Sequence, residues 1–304
     1  MLLAPIVLFA YNRPWHIRQT VEALQKNDLA AESDLIIFSD GPKDEQTRLQ
    51  VEEVGGYLKT IAGFKRIEIR EQKENRGLAN SIIAGVTKVV NEYGRVIVLE
   101  DDLVTSPFFL RYMNDALTIY RDESKVSSIH GYRFPMKVNL PETYFLRGAD
   151  CWGWATWKRG WEVFESDGQT LLNELERRNL TRIFDLDGAY PHTQMLRDQI
   201  NGRNNSWAIR WQAATFLEDL LTLNPGVSLV RNIGLDGSGT HCGIGSSFVG
   251  MLADRPIHLE RIAVEECRMA RWGLVSYYRQ KGQSRFARLG ERMRGLWKKG
   301  CKSI

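Results

Sequence analysis

The chain has 304 residues, of which 43% are hydrophobic and 26% charged. That is enough to bury a sizeable core, and it excludes a disordered, collagen-like or disulfide-stapled protein. The four cysteines (Cys151, Cys242, Cys267 and Cys301) are scattered without a CxxC pair, as expected for reduced thiols in a cytosolic protein and not for a zinc centre.

The formal charge of +4 hides an asymmetry: from Arg268 to Ile304 eleven Lys/Arg face a single acid, Glu291, so the body is net acidic. An acidic body argues against nucleic acid as a partner, and the basic end reads as an electrostatic tail. The opening MLLAPIVLFA is apolar but lacks a basic leader region and is too short to span a bilayer. It runs into Asn12-Arg13-Pro14 and reads as a buried first strand.

The first half alternates strand and helix patterns. Ile6–Tyr11 is a predicted strand, followed by a helix with Ile17, Val21 and Leu24 at helical spacing. A second strand, Leu35–Ser39, ends at Asp40-Gly41, and the next helix sets Leu49, Val54, Leu58 and Ile61 on one face. Arg66–Arg70 is a third strand. Gly77–Tyr93 is a helix carrying Leu78, Ile82, Val86 and Val90, and Arg95–Leu99 is a fourth strand running into Glu100-Asp101-Asp102. Ser106-Pro107 predicts the start of a helix over Phe108–Tyr120. Continuous apolar strands separated by helices predict βαβ units, an α/β fold and a mainly parallel sheet flanked by helices. Past residue 125 the alternation ends. Trp152, Trp154, Trp157, Trp161, Trp207 and Trp211 crowd that region, and Gly234–Gly245 reads as a glycine-rich loop.

Ligands of such sheets sit at the carboxyl ends of the strands. The polar tips there are Asn12-Arg13, Asp40-Gly41, Asn75-Arg76-Gly77 and Glu100-Asp101-Asp102. Three acids following a buried strand suit a hard divalent cation, Mn²⁺ or Mg²⁺, whose remaining coordination positions take phosphate oxygens and water. Taken alone, the triplet also reads as a solvated turn, Asp40-Gly41 as a β-turn, Arg13 as a surface arginine and Asn75-Arg76-Gly77 as a helix cap. One sheet edge collecting all four favours a nucleotide-diphosphate site.

The order strand–Asn-Arg-Pro, Ser-Asp-Gly, Asn-Arg-Gly-Leu, Glu-Asp-Asp, WGWATWKRGW resembles the GT-A glycosyltransferases. More narrowly, it looks like bacterial sugar transferases related to N-acetylglucosaminyltransferase I, over roughly residues 5–245. The resemblance implies a Rossmann-like GT-A fold with a nucleotide-sugar-binding half (1–125), an acceptor-side half of the same domain (126–265) and a basic C-terminal helical tail (266–304). By resemblance Asp102 coordinates the metal, Glu100 and Asp101 contact the donor's sugar and ribose, Asp40 faces the nucleobase and Arg13 the ribose-phosphate. Asn75 and Arg76 join the donor side, and His241 approaches the metal or diphosphate.

An inverting transfer needs a carboxylate base. Relatives place it near a Trp-flanked segment like Asn205–Trp211, which here holds no acid. Asp150 is the first substitute and Asp236 the second. Tryptophans stack on sugars but also fill cores; Trp154 is the acceptor-binding candidate.

The stretch Gln283–Lys302 reads as a basic amphipathic helix with Trp297 on its apolar side, suited to an anionic membrane surface or to packing on its own body. The expectation is a cytoplasmic, peripherally membrane-associated enzyme. It would use a UDP- or GDP-sugar donor and a glycan or lipid-linked acceptor. Two rivals stand beside it. One is a sugar-nucleotide nucleotidyltransferase, which should carry glycines in its first loop, unlike Tyr11–Pro14. The other is a catalytically degenerate GT-A protein acting in glycan binding or assembly.

Overall fold

The computed structural model describes residues 3–237 and 252–282. The elements are β1 (Ile6–Ala10), α1 (Pro14–Gln25), β2 (Asp34–Ser39), α2 (Glu45–Leu58), β3 (Arg66–Glu71), α3 (Leu78–Tyr93), β4 (Arg95–Glu100), β5 (Leu103–Thr105) and α4 (Phe109–Ile119). There follow β6 (Val126–His130), β7 (Thr143–Arg147), β8 (Trp154–Trp157), α5 (Lys158–Trp161), α6 (Gly168–Arg177), α7 (Thr181–Phe184), α8 (His192–Ile200), α9 (Trp207–Leu217), β9 (Leu221–Pro225) and β10 (Val230–Asn232). Residues 268–282 are helical.

Eight strands form one sheet in the order β3-β2-β1-β4-β8-β6-β9-β7, and β5 pairs with β10 in a two-stranded ribbon. β3, β2, β1 and β4 are mutually parallel, as the alternation of strands and helices predicts, with the charged RIEIRE of β3 at the edge. Beyond β4 the sheet is mixed: β8 is antiparallel to both β4 and β6, β9 is parallel to β6, and β7 is antiparallel to β9. The sheet therefore runs through both halves of the chain, as expected of a GT-A fold.

Successive side chains of β1 go to opposite cores. Ile6, Leu8 and Ala10 meet α1, α2 and α4 through Ile17, Val21, Leu24, Leu58, Met113 and Leu117. Val7 and Phe9 meet α3 through Ile82, Val86 and Val90. This period of two is what a strand covered on both faces requires.

Two predicted helix faces shift. Leu49 is 75% exposed and Leu78 38% exposed, because α2 turns Val54 and Leu58 into the core, and α3 turns Ala79, Ile82, Val86, Val89 and Val90. The helix predicted from Phe108 begins at Phe109, with Ser106 Oγ accepting from the Phe108 N–H at 3.4 Å.

Trp154 is 1% exposed. Its ring lies 5.5 Å from that of Trp207, 5.7 Å from Trp161 and 5.9 Å from Trp211, sealing β8 against α5 and α9. The indole expected to stack on an acceptor is core packing instead, since it presents no free face.

Candidate active site

β1, β2 and β4 end side by side, so parallel pairing brings residues 11–13, 40–41 and 100–102 to one edge. Arg13, just before α1, ion-pairs with Asp101 and places Nη2 3.0 Å from Asp102 Oδ2. Burial works to lower the pKa of Arg13, and the carboxylates of Asp101 and then Asp102 overcome it, raising the guanidinium above its ordinary value. Burial, then the charges of Asp102 and Asp101, push Glu100 up to about 8. Burial likewise pushes Asp101 up to about 6 against the pull of Arg13. Thr20 of α1 donates its hydroxyl to the Asp101 carbonyl at 2.8 Å, fixing the triplet's backbone.

Asp40 is 7% exposed. Its Oδ1 accepts from the N–H groups of Arg76 at 2.8 Å and Gly41 at 3.0 Å, and its Oδ2 accepts from Gly77 N–H at 2.9 Å. Asn75 donates its side-chain amide to the Gly41 carbonyl at 2.9 Å. The anion at the entrance to α3 is thus the protein's own Asp40, which ties the end of β2 to the loop after β3. Arg76 remains exposed beside it. Gly41 permits this approach, as a β-carbon there would lie 2.7 Å from the Glu74 backbone. A cavity of about 370 Å³ opens below, lined by Asp40, Arg70, Gln72, Arg76, Ser81 and Lys88 among others.

The β5–β10 ribbon supplies the edge's other wall, which the sequence reading lacked. Because Asn232 pairs with Leu103, the chain leaving β10 passes over the triplet. Ile233 donates its N–H to the Asp102 carbonyl at 2.9 Å, and Asn232 Oδ1 accepts from Gly234 N–H at 2.8 Å. Asp236 then reaches back to α1, with Oδ2 3.1 Å from His16 Nε2. Asp236 is therefore engaged by a histidine on the donor side. His241 and the basic stretch Gln283–Lys302 lie outside the described residues.

Asp150 precedes β8, whose first residue, Trp154, pairs with both Val98 of β4 and His130 of β6. The segment leading into β8 therefore reaches the sheet edge that carries the acidic triplet. A β-carbon at Gly153 would touch Leu99, and Gly131 donates its N–H to the Gly153 carbonyl at 2.7 Å. The Asp150 side chain is 35% exposed and accepts from Cys151 N–H at 2.7 Å. Trp152, half-buried, packs edge-on to Tyr132 at 4.7 Å. Asn205–Trp211 spans the cap and first turn of α9, with Ser206 accepting from Ile209 N–H and Trp207 and Trp211 buried, and brings no carboxylate.

Among the described residues no group of three or more His, Cys, Asp or Glu is arranged as a ready metal cage. No described helix is long and apolar enough to cross a membrane.

The family model Glycosyl transferase family 2 matches residues 6–135, a stretch that holds β1 to β6 and every donor-side tip described above. This segment is thus similar to that family's, and the sheet displays the GT-A fold. No curated protein matches the chain. Among solved structures, S. aureus TarS is similar at 17% identity, over 48% of this chain and 25% of that one, with a TM-score of 0.31. A TarS 1–349 structure is 14% identical over 57% of this chain and 49% of that one, with a TM-score of 0.33. The mannosyltransferase PcManGT from Pyrobaculum calidifontis, in complex with GDP-Man and Mn²⁺, is 11% identical over 71% of each chain, with a TM-score of 0.37. The chain thus spans from a quarter to about half of the two TarS structures.

Proposed function

We propose that this chain, a glycosyltransferase on a GT-A fold, moves a hexose or N-acetylhexosamine from a UDP- or GDP-sugar to a glycan or lipid-linked acceptor. The transfer would invert the anomeric centre and depend on Mn²⁺ or Mg²⁺. The observation that carries this reading is the gathering of Arg13 and Glu100-Asp101-Asp102 at one sheet edge, under the segment that follows β10. Residues 1–125 would hold the donor and 126–265 the acceptor. The basic tail, 266–304, would lie on an anionic membrane surface.

The donor set suits a hard cation. It is made of carboxylate oxygens, and three acids stand against the single guanidinium of Arg13. Asp102 would hold the ion, with Glu100 and Asp101 facing the donor's sugar and ribose. When bound, the ion supplies charge neutralisation for the departing diphosphate. Arg13 holds Asp101 and Asp102 in place and adds positive charge beside the phosphates. Asp40 shapes the base side by fixing the loop that carries Arg76. Inversion follows from the resemblance to N-acetylglucosaminyltransferase I.

Asp150 serves as the base. The acceptor hydroxyl's oxygen forms its bond to the anomeric carbon as its proton passes to Asp150. The bond from that carbon to the diphosphate breaks, and its electron pair leaves with the diphosphate.

A panel of UDP- and GDP-sugars, tested for metal-dependent thermal stabilisation, checks the donor site. A donor at a hundredfold its Kd adds about 2.7 kcal/mol. One donor should stabilise the wild type only with Mn²⁺ or Mg²⁺, and Asp102→Ala should abolish that shift. If no sugar nucleotide shifts the melting curve with either metal, the chain is better read as a degenerate binding protein.

A further inference from the structure

His130 ends β6 with its imidazole fully buried, and the glycosyl transfer chemistry described above does not use it. Its Nδ1 lies 3.2 Å from Asn224 Oδ1 at the end of β9. Asn224 commits its side-chain N–H₂ to the Thr222 carbonyl at 2.8 Å, so the amide oxygen faces the ring. An oxygen there can only accept, which places the imidazole proton on Nδ1. Nε2 is left with a bare lone pair, buried and without a hydrogen-bond partner. It points to Asp150, whose Oδ1 is 3.8 Å away. Tyr132 is a titratable neighbour, its ring 6.2 Å from the imidazole, and Asp150 also interacts with Tyr144, His192 and Tyr278.

A bare nitrogen lone pair facing a carboxylate makes no bond, and a proton between them makes one. We propose that His130 is the inner member of a proton relay, positioned by Asn224, that draws the acceptor's proton through Asp150. This rests on the reading of Asp150 as the base. As the acceptor oxygen bonds to the anomeric carbon, its proton moves to the outer oxygen of Asp150. Rotation of the acid about its Cβ–Cγ bond then brings the O–H to face Nε2, the other oxygen takes over the Cys151 N–H, and the proton transfers to the imidazole. The relay ends as a buried imidazolium held between the Asp150 carboxylate and Asn224 Oδ1. No further reactant is needed, and the proton returns to water through Asp150 after product leaves. His130 touches no reacting atom, so it is a positioning residue for the base.

Two measurements test the relay on the full chain. The first is the imidazole tautomer of His130, read from long-range ¹⁵N–¹H spectra and assigned by the signal lost in His130→Gln. A proton on Nδ1 with bare Nε2 supports the relay, and a proton on Nε2 overturns it.

The second uses water as the acceptor and follows nucleoside diphosphate release from whichever UDP- or GDP-sugar stabilises the protein with metal. Asp150→Asn should abolish release. His130→Gln, whose amide oxygen accepts a hydrogen bond but cannot take the proton, should lower kcat roughly 100-fold. The donor KM should stay unchanged, and the rising limb of the pH profile should move. His130→Phe should behave alike, with the donor-dependent melting shift retained as proof of folding. If Asp150→Asn turns over normally, the base assignment itself is wrong. If Asp150→Asn is inactive while His130→Gln keeps the wild-type kcat and pH profile, the relay alone fails.

Discussion

Gly234 lies so close to Asp102 that a β-carbon at residue 234 would overlap the carboxylate oxygen Oδ2 and sit 2.9 Å from Arg13 Nη1. The contact places a backbone with no side chain over the acid expected to hold the metal. The neighbouring bond from Ile233 N–H to the Asp102 carbonyl, 2.9 Å long, fixes how closely the strand passes.

Gly234→Ala should therefore act on the donor site more than on the fold. The added methyl has to displace either the segment after β10 or the Asp102 carboxylate. The expected result is loss of the metal-dependent melting shift with a donor sugar, at least tenfold in apparent Kd, a cost of about 1.4 kcal/mol. Without ligand the variant should melt within a few degrees of wild type, about what 1 kcal/mol changes in a chain this size. Unaltered donor affinity would show that the strand does not constrain Asp102.

Asp40 presents the opposite case, a residue whose change should reach the fold as well. Its carboxylate takes three backbone N–H groups, from Gly41, Arg76 and Gly77. Asp40→Asn replaces one acceptor oxygen by an N–H₂ group that faces donors. With the carboxylate buried, the cost should be about 1.5–3 kcal/mol, the worth of a hydrogen bond to a charged group. Urea denaturation measures it. Hydrogen exchange at Arg76 and Gly77 should quicken in the same variant, and unchanged protection there would mean the clamp is not formed in solution.

The donor half was legible because three of its strands, β1, β2 and β4, are apolar runs that stop at a polar turn. Reading the stops of Ile6–Ala10, Asp34–Ser39 and Arg95–Glu100 amounts to reading one edge of a parallel sheet. The ribbon was not legible. Leu103–Thr105 and Val230–Asn232 are three residues each, too short for any periodicity, and their pairing spans more than a hundred residues of chain. Trp154 misled because the indoles that close on it, Trp161, Trp207 and Trp211, come from α5 and α9, a packing that the sequence does not display.

His130 did carry a signal. VSSIH is a short β-rich run ending in a polar residue, and the strand-end rule used for the first four strands would have singled it out. Its link to Asp150 and Asn224 depends on a mixed sheet order that the sequence does not display.

Burial lowers the pKa of His130 below the ordinary histidine value, against the opposing pull of Asp150 and the Asn224 hydrogen bond. The unfolded chain therefore binds a proton at His130 before the folded one does. The sign follows: this contribution to stability is fully present above the unfolded pKa of about 6.5 and is lost as pH falls below it toward the folded value. The loss is about 1.4 kcal/mol per pH unit in that window. Glu100 and Asp101, pushed up to about 8 and about 6, work the other way, since the folded state binds their protons first. The slope of the wild type alone mixes both effects, and comparison with His130→Gln separates them. The stability advantage of wild type over His130→Gln, taken from urea midpoints at pH 7.5 and 5.5, should shrink as the medium is acidified. A constant difference would mean that the imidazole is already charged at pH 7.5 or open to water.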